Sequence, residues 1–359
     1  MRALFILIII SLSLQTAFAQ DPAISQFTNN SLSTNPAYAG INQNFRLGMA
    51  ERMQWHSITS PFSTQVLWGD FYMPPLMHGG VGFVLMNDIS GEGLLRTSQV
   101  SIMPSFSQTL WKRNGYSLLD IRMGFNITYG NKHVNWSRLT FSDQLNPIGN
   151  VSPSSVTPVT GAGSNYLDFG SGFMVDFNSG DIGKTNINAD VGFAINHLNK
   201  PKDGLSGNSK SFIPIKTTIH FRSIIEVETG RNQKVIGFSP LVIYEAQQEF
   251  KVLNVGMFLM FDEYLSLGML LRTRKFIPLE DHESVIISFL IKNVRMGSGV
   301  FHIGLNYDFT TNKLNNSNTN GSHEVSIIYE LSAKRYYRLF WRNSKKKKSK
   351  YRSKCQTVF

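Results

Sequence analysis

Cysteine is nearly absent from this chain, and long apolar runs are absent beyond its first 19 residues. The only cysteine is Cys355, close to the C-terminus. A single cysteine cannot form an intramolecular disulfide or a zinc site built from several thiolates. No stretch after residue 19 approaches the ~18 apolar residues that a membrane-spanning helix requires. These absences exclude a disulfide-stapled domain and a bundle of membrane helices.

Motifs of enzymatic chemistry are also scarce. The eight histidines are scattered, and none has the spacing of a two-histidine metal motif. Gly161 and Gly163 lack the strand–turn–helix context and the following lysine of a phosphate-binding loop. We therefore predict no catalytic residue, no metal, no cofactor and no enzymatic activity. A catalytic triad assembled in space stays open, because triads are defined by geometry and not by spacing.

Acidic residues are missing from the C-terminal segment 334–359. That segment holds 11 of the 35 basic residues, which equals the whole formal net charge of +11. The rest of the chain is formally neutral, so the high pI of 9.6 describes this tail alone. The charge consequently says nothing about partners of the body of the protein.

The one long apolar run lies at the N-terminus and is typical of a secretory signal peptide. Arg2 supplies the positive charge, residues 4–14 form the apolar region, and Ala17-Phe18-Ala19 is a small-residue cleavage site. We expect cleavage after Ala19, so that residues 1–19 are removed and the mature chain begins at Gln20.

Alternating hydrophobicity is the main feature that the chain does possess. The clearest example is segment 119–129, in which every second residue is apolar: Leu119, Ile121, Met123, Phe125, Ile127 and Tyr129. A strand directs successive side chains to opposite faces, so one face of this segment is apolar and the other polar. Eleven residues suffice for a tilted strand to cross a bilayer, and the pattern recurs. A secreted β-sandwich also alternates, but its strands usually have about five to six residues.

The pattern predicts an all-β fold, a single transmembrane antiparallel β-barrel of about 14 strands. The predicted strands are 45–55, 62–72, 80–88, 97–108, 117–130, 165–177, 187–198, 215–227, 236–248, 250–261, 264–273, 284–293, 299–309 and 323–331. Pro104 interrupts one of them and the division at 249–250 is weak, so 12 strands is the alternative. The odd-numbered loops, such as 131–164, are mostly the longer ones. Because barrels of this class carry long outer loops, both termini are expected in the periplasm.

The domain organisation that follows has four parts. These are the signal peptide 1–19, a periplasmic or plug segment 20–44, the barrel 45–333 and the basic tail 334–359. Charges of both signs lie on the polar strand faces, which favours a plugged or narrow lumen over an open porin: Asp120, Arg122, Asp168, Asp176, Asp190, Lys216, His220 and Arg222.

The tail combines aromatic and basic residues and then becomes a lysine run. Such mixtures lie at membrane interfaces, and anionic lipid headgroups or an acidic envelope protein are the expected partners. A solvated extension without a partner is the alternative, and nucleic acid is not expected at a periplasmic location. The candidate docking residues are Arg335, Arg338, Arg342, Lys345, Lys346, Lys347 and Lys348.

Four stretches of the chain resemble one protein family. The segment 21–40 ends in Asn35-Pro36-Ala37-Tyr38-Ala39-Gly40, and Arg52-Met53-Gln54-Trp55 follows. The others are Asn196–Pro201 and, at the last strands, Tyr307–Thr310 with Gly321, Ser322, His323 and Glu324. In this order they resemble the PorP/SprF family of Bacteroidota outer-membrane proteins. The basic tail departs from the shared pattern.

The resemblance implies an outer-membrane component of the type IX secretion system, linked to gliding motility and export of surface adhesins. It implies as partners a secreted adhesin or its C-terminal domain, subunits of the secretion ring or translocon, and outer-membrane lipid. Asn35, Pro36, Tyr38, Gly40 and Trp55 are the candidates for a plug or for periplasmic docking. The motif in the last strand, Gly321, Ser322, His323 and Glu324, is expected to be structural.

Two other functions remain alternatives at this point. One is a FadL-like or porin-like channel for a small solute, which would need an open lumen. The other is an outer-membrane hydrolase, which would need Ser or Asp clustered at the outer rim with His133, His197 or His282.

Overall fold

The computed structural model describes residues 21–73, 78–113, 116–145, 163–179, 185–205, 211–229, 234–274, 282–331 and 335–336. The predicted signal peptide and most of the basic tail lie outside these residues. Within them, no helix is both long enough and apolar enough to cross a membrane.

Fourteen antiparallel strands of the described chain close into one barrel. The strands are β1 (Phe45–Gln54), β2 (Phe62–Met73), β3 (Gly79–Ser90), β4 (Leu95–Arg113), β5 (Tyr116–His133), β6 (Gly163–Asn178), β7 (Thr185–Asn196), β8 (Lys216–Thr229), β9 (Lys234–Gln247), β10 (Phe250–Phe261), β11 (Leu265–Thr273), β12 (His282–Met296), β13 (Gly299–Thr310) and β14 (Ser322–Leu331). Each strand pairs with its neighbours in sequence, and β1 pairs with β14, with Phe45 opposite Leu331. Closure leaves no open sheet edge.

The prediction of 14 strands is confirmed, and the alternative of 12 is wrong. The boundary at 249–250, which the sequence marks only weakly, is a hairpin between β9 and β10 with a two-residue loop. The positive φ of Gln248 makes this tight turn possible. Pro104 does not end its strand. It lies opposite Val81 of β3, and the pairing of β4 with β5 keeps the same register on either side of it.

Side chains alternate between the two faces of each strand, as β5 illustrates. Phe125 and Ile127 on its outer face are 41% and 48% exposed, whereas Arg122 and Thr128 on its inner face are 6% and 2% exposed. The outer surface is apolar and the interior carries the polar groups. This arrangement suits a hydrocarbon environment, because the backbone groups of each strand pair with neighbouring strands and the charges of the inner face point away from lipid.

The outward apolar face gives a direct test of membrane placement. We expect Phe125→Arg to destabilise the barrel by about 2–4 kcal/mol, because it places a charge in the middle of the hydrocarbon band. The same change at His133, at the end of β5, should cost about 0–1 kcal/mol. Urea titrations in lipid vesicles measure both. Equal losses for the two variants would contradict the placement.

The barrel has two different ends, which we name by their connections. The odd-loop end carries the connections β1–β2, β3–β4 and so on. Among them are the long loops 134–162 and 197–215. The even-loop end carries the alternate connections, such as 262–264 and 297–298, and there β1 begins and β14 ends. The odd-numbered connections include the longest ones, as the sequence pattern predicts.

Residues 21–44, the lumen segment, lie inside the barrel. The segment starts at the odd-loop end, where Asp21 contacts His197, and it reaches the even-loop end at Gly40, beside Asp70. It contains one helical turn, Ser31–Thr34, and a 3₁₀ turn, Pro36–Tyr38. The sequence placed both termini at one end of the barrel. Residue 21 instead lies at the end opposite to Leu331, because the chain crosses the lumen before β1 begins.

Two apolar clusters pack the lumen segment against the barrel wall. One joins Leu32, Ala37, Tyr38, Ala39 and Ile41 of the segment to Val66, Trp68, Val84, Met103, Met174 and Ile328 of the strands. The other surrounds Phe27 with Leu241, Ile243, Phe258, Leu270, Ile286 and Leu290. The hydrophobic core of this protein thus lies within the barrel, between segment and wall.

Candidate functional site

The turn 35–40 owes its shape to its own residues. Asn35 has an extended backbone, and its Oδ1 accepts a hydrogen bond from the Ala37 N–H at 2.9 Å, which caps the 3₁₀ turn. Pro36 occupies the first position of that turn, where its missing N–H is not needed. Gly40 has φ of +69°, a conformation that side chains disfavour. The Asn-Pro-Ala-Tyr-Ala-Gly motif therefore encodes a compact turn.

Asn35 attaches this turn to three strands. Its side-chain amide donates to the carbonyl oxygens of Phe173 on β6 and Phe193 on β7, at 3.2 and 3.4 Å. The same nitrogen lies 3.0 Å from Nε2 of His220 on β8. Asn35 is fully buried. An amide that both caps its own turn and donates to the wall fixes the segment in position and orientation.

Tyr38 joins a buried charge cluster beside Asn35. Its hydroxyl donates to the Asp190 carboxylate, and Arg222 pairs with the same carboxylate at 2.6 Å. The Arg222 guanidinium also lies 5.5 Å from the centre of the Tyr38 ring. Burial and the nearby Asp190 carboxylate raise the pKa of Tyr38 well above its usual value, so it acts as a neutral donor.

Charged side chains of the wall bind the backbone of the same turn. Arg122 donates to the carbonyl oxygens of Ala37 and Ala39, at 3.0 and 2.9 Å. Asp70 accepts from the Gly40 N–H at 2.7 Å and forms an ion pair with Arg46 at 2.8 Å. Removing one of these partners would leave a buried polar group unpaired, which costs about 1–3 kcal/mol.

Inward-facing glycines allow the turn to approach the wall. A Cβ on Gly124 of β5 would overlap backbone atoms of Pro36 and Ala37, and one on Gly172 of β6 would overlap the Asn35 amide. Gly80 of β3 is similarly close to the backbone of Gly40. A glycine within a strand often marks the close approach of another backbone, and here that backbone is the lumen segment.

A second anchor holds the first part of the segment. Glu324 accepts from the backbone N–H of Ser25 at 2.8 Å, and the Ser25 hydroxyl donates to Asp308 at 2.6 Å. Arg52 lies between the two carboxylates, 2.8 Å from Asp308 and 3.5 Å from Glu324. Arg272 donates to the Ile24 carbonyl oxygen at 3.2 Å.

A third contact lies at the odd-loop end, where His197 is placed between two carboxylates. Its Nδ1 is 2.9 Å from Asp168, and its Nε2 is 3.0 Å from Asp21 of the lumen segment. Burial opposes a charge on this ring, but the two carboxylates outweigh it and raise the pKa of His197 to about 10. Despite burial, His197 and Lys216 hold the pKa of Asp21 below its usual range.

This contact predicts a pH dependence of stability. The pKa of His197 rises from 6.5 to about 10, so its contribution is complete below pH 6.5 and lost as the pH approaches 10. Asp21 has a lowered pKa, so its contribution is present above pH 3.8 and lost below. The contact is therefore strongest between pH 3.8 and pH 6.5.

We expect the unfolding temperature of the full chain in detergent to fall between pH 6.5 and 10 more steeply than that of His197→Gln. The glutamine variant keeps a polar side chain but does not titrate. Thermal unfolding followed by circular dichroism across this range measures the difference. Parallel pH profiles for the two proteins would show that His197 is not responsible.

The structure separates the residues that the sequence grouped together. Four of them lie together in the lumen: Asn35, Pro36, Tyr38 and Gly40. Trp55 lies at the odd-loop end, where its backbone N–H donates to the Gly321 carbonyl oxygen at 2.8 Å. A φ of +60° turns the chain at Trp55 out of β1.

The last-strand motif has two different roles. The Gly321 carbonyl oxygen accepts the hydrogen bond from the Trp55 backbone N–H, and Ser322 is buried. His323 stacks on His56, with the ring centres 4.0 Å apart. Glu324, expected to be structural, also binds the lumen segment through Ser25.

Little of the predicted tail site falls within the described residues. Arg335 is exposed, whereas Tyr336 beside it is buried and donates to the Tyr72 carbonyl oxygen at the end of β2. Arg338, Arg342, Lys345, Lys346, Lys347 and Lys348 lie outside the described residues.

Histidine and acidic side chains do not gather into a metal-binding cluster in the part of the chain that the structure describes. No group of three or more His, Cys, Asp or Glu side chains is arranged to hold a metal ion there. Both ring nitrogens of His197 face carboxylates, so neither is free to take a proton from a nucleophile.

Arg46 and Asp70 were missed in the sequence, and Arg52 and Asp308 entered only as members of family motifs without a role in the site. Nothing in a single strand shows that these inward charges converge on the lumen segment. Gly124 was a usable signal of this convergence, because it places a glycine on the polar face of the clearest alternating segment, 119–129.

A closed barrel with an apolar outer surface and a charged, filled interior is the architecture of an outer-membrane β-barrel protein. A family model described as type IX secretion system membrane protein PorP/SprF matches residues 16–329. The chain belongs to this family. A comparison with curated proteins finds no match.

Several solved outer-membrane structures show a distant similarity in fold. A TodX deltaS2S3 mutant monoaromatic hydrocarbon channel is 12% identical, with 84% of this chain and 94% of that chain covered and a TM-score of 0.42. The Ralstonia pickettii toluene transporter TbuX is 9% identical (88% and 95% covered, TM-score 0.41). CdiB from Acinetobacter baumannii is 7% identical, with 80% of this chain but only 60% of that chain covered and a TM-score of 0.43. Similarity at this level does not assign a function.

Proposed function

We propose that this protein is a non-enzymatic part of the type IX secretion system that exports or anchors a partner at the cell surface. The partner class is a secreted protein such as a gliding-motility adhesin, held through its C-terminal domain. The observation that carries the proposal is the occupied lumen. The lumen segment fills the barrel and is bound by buried side chains of many strands.

An occupied lumen argues against the alternative of a channel for small solutes. Such a channel needs a continuous path between its two ends, and here the two apolar clusters and the three polar contacts occupy the interior. A filled barrel is a rigid platform fixed in the membrane. Its useful surfaces are then its two rims.

The two rims would have different partners. We assign the odd-loop end to the cell exterior, since long loops of outer-membrane barrels lie outside. The exported partner would bind there. The even-loop end would face the periplasm, where the basic tail that follows Tyr336 would contact the secretion ring, translocon subunits or anionic lipid.

Purification from the native envelope in mild detergent, followed by mass spectrometry, tests the proposal. We expect a large exported protein or secretion-ring subunits at near-stoichiometric amounts. A barrel that is recovered alone and conducts ions in planar bilayers would support the channel instead.

The tail is tested by two truncations. Deleting 337–359 should reduce recovery of periplasmic subunits and leave heat-modifiable migration on a gel intact. Deleting 334–359 also removes the buried Tyr336, so it controls for damage to the fold. Unchanged recovery with the shorter truncation would contradict a docking role.

A further inference from the structure

A row of polar side chains on β1–β4 forms an exception to the apolar outer surface. Its members lie directly opposite one another in neighbouring strands: Glu51, Gln65, Asn87 and Ser98. Glu51 shares its strand face with the exposed Met49, and Gln65 shares its face with the exposed Leu67. The Gln65 amide donates to the Glu51 carboxylate at 3.2 Å, and the Ser98 hydroxyl donates to Asn87 at 3.1 Å. The row is therefore a hydrogen-bonded polar stripe on the outside of the barrel.

Apolar side chains lie next to this stripe. The adjacent outward row on its even-loop side consists of Met49, Leu67, Leu85 and Val100, all of them exposed. Past β1, the polar row itself becomes apolar, because Glu51 lies opposite Val325 of β14, and Val325 lies opposite Leu305 of β13. The stripe is thus confined to one side of the barrel and is not a ring around it.

The depth of Glu51 in the membrane follows from the length of its strand. β1 and β14 have 10 residues each and pair with each other over their full length. A tilted strand needs about 9–11 residues to cross a bilayer, so all of β1 is required for the crossing. Glu51 has three strand residues between it and the odd-loop end, so its carboxylate lies within the membrane span. Ionisable groups at such positions are costly, and they pair with an opposite charge or serve a function.

We propose that this face binds a membrane-spanning segment of another protein that presents a lysine or arginine side chain to Glu51. The cation neutralises the carboxylate, the Gln65 and Asn87 amides offer further hydrogen bonds beside it, and Met49 and Leu67 provide the apolar contact. Charge complementarity of this kind selects one partner over others. An amine of a lipid headgroup lies at the membrane surface, whereas a side chain of a spanning segment can reach the depth of Glu51. The site does not depend on the proposed role in secretion.

The test uses the full chain in its native outer membrane, with the photo-crosslinking residue p-benzoylphenylalanine in place of Leu67. The matched control carries it in place of Phe289 on the outer face of β12, since the two side chains are 38% and 37% exposed. Illumination should give a discrete protein adduct at position 67 and none at position 289. Mass spectrometry of the adduct should identify a membrane-spanning segment of another protein that contains a lysine or arginine. An adduct with a second copy of this chain, or with lipid alone, would overturn the proposal.

Variants separate binding from folding. Glu51→Leu should keep heat-modifiable migration on a gel, because leucine suits a lipid-facing position, and should lower the adduct yield by roughly tenfold or more. Met49→Leu, at the neighbouring outward position of the same strand, is the matched control and should leave the yield unchanged. Glu51→Lys should abolish the adduct, and replacing the cation of the identified partner by glutamate should restore it. An unchanged yield in natively migrating Glu51→Leu, or no restoration by the exchanged charges, would contradict the proposal.

Discussion

Deleting residues 21–40 is expected to turn a closed barrel into an ion-conducting pore. The wall alone holds 14 strands, which enclose an interior wider than side chains of the wall can fill. In the full chain the lumen segment supplies the missing volume, including Phe27, Leu32 and Tyr38. Without the segment, water and ions enter a lumen lined by charges such as Arg122 and Asp190.

Single-channel recording in planar bilayers measures this effect. The full chain should show no steady conductance, whereas the deletion variant should show a uniform one. A synthetic peptide of residues 21–40 added in trans should block the pore, because most contacts of the segment are made with the wall. Equal conductance of deletion variant and full chain would contradict the assignment of the segment as the plug.

Gly124→Ala is expected to displace the turn 35–40 from the wall. The added methyl group would overlap the backbone of Pro36 and Ala37, and the backbone there cannot rotate away as a side chain can. Displacing the turn breaks the bonds of Asn35, Tyr38 and Arg122 together. We therefore expect a loss of several kcal/mol, since each buried group left unpaired costs about 1–3 kcal/mol.

The matched control is Gly130→Ala on the same strand. Its methyl group would meet the outer part of the Tyr166 ring, so the overlap involves a side chain of β6 and not the backbone of the lumen segment. Urea titration in vesicles should show a much larger loss for Gly124→Ala, and only that variant should conduct ions intermittently. Similar losses for both variants would show that strand geometry, and not contact with the segment, requires glycine at position 124.

The strand pattern was predictable because it is local. Most of the strands alternate between apolar and polar residues, so segments such as 119–129 can be recognised without knowing their neighbours. Even Pro104 and the division at 249–250 affected only the count. The turn at Asn35–Gly40 is local too, since proline, an asparagine cap and a glycine with positive φ define it.

The contacts of the lumen segment were not predictable in this way. Asp308 and Glu324 face Ser25 across more than 280 positions of sequence, and the sequence treated Glu324 as part of a strand motif only. Trp55 was grouped with the turn because both belong to the motifs that resemble the family. The structure places it at the other end of the barrel, because β1 runs the full length of the wall between them.

By itself the sequence determined that this protein is a barrel and which face of its strands meets lipid, and it left the strand count open between 14 and 12. Those properties depend on residues two positions apart, and the hydrophobic effect acts on each strand separately. Only the tertiary structure decided what fills the barrel. Whether inward charges line an open pore or bind a segment depends on closure of all 14 strands, which brings Arg46, Arg122, Asp190 and Glu324 around one short peptide.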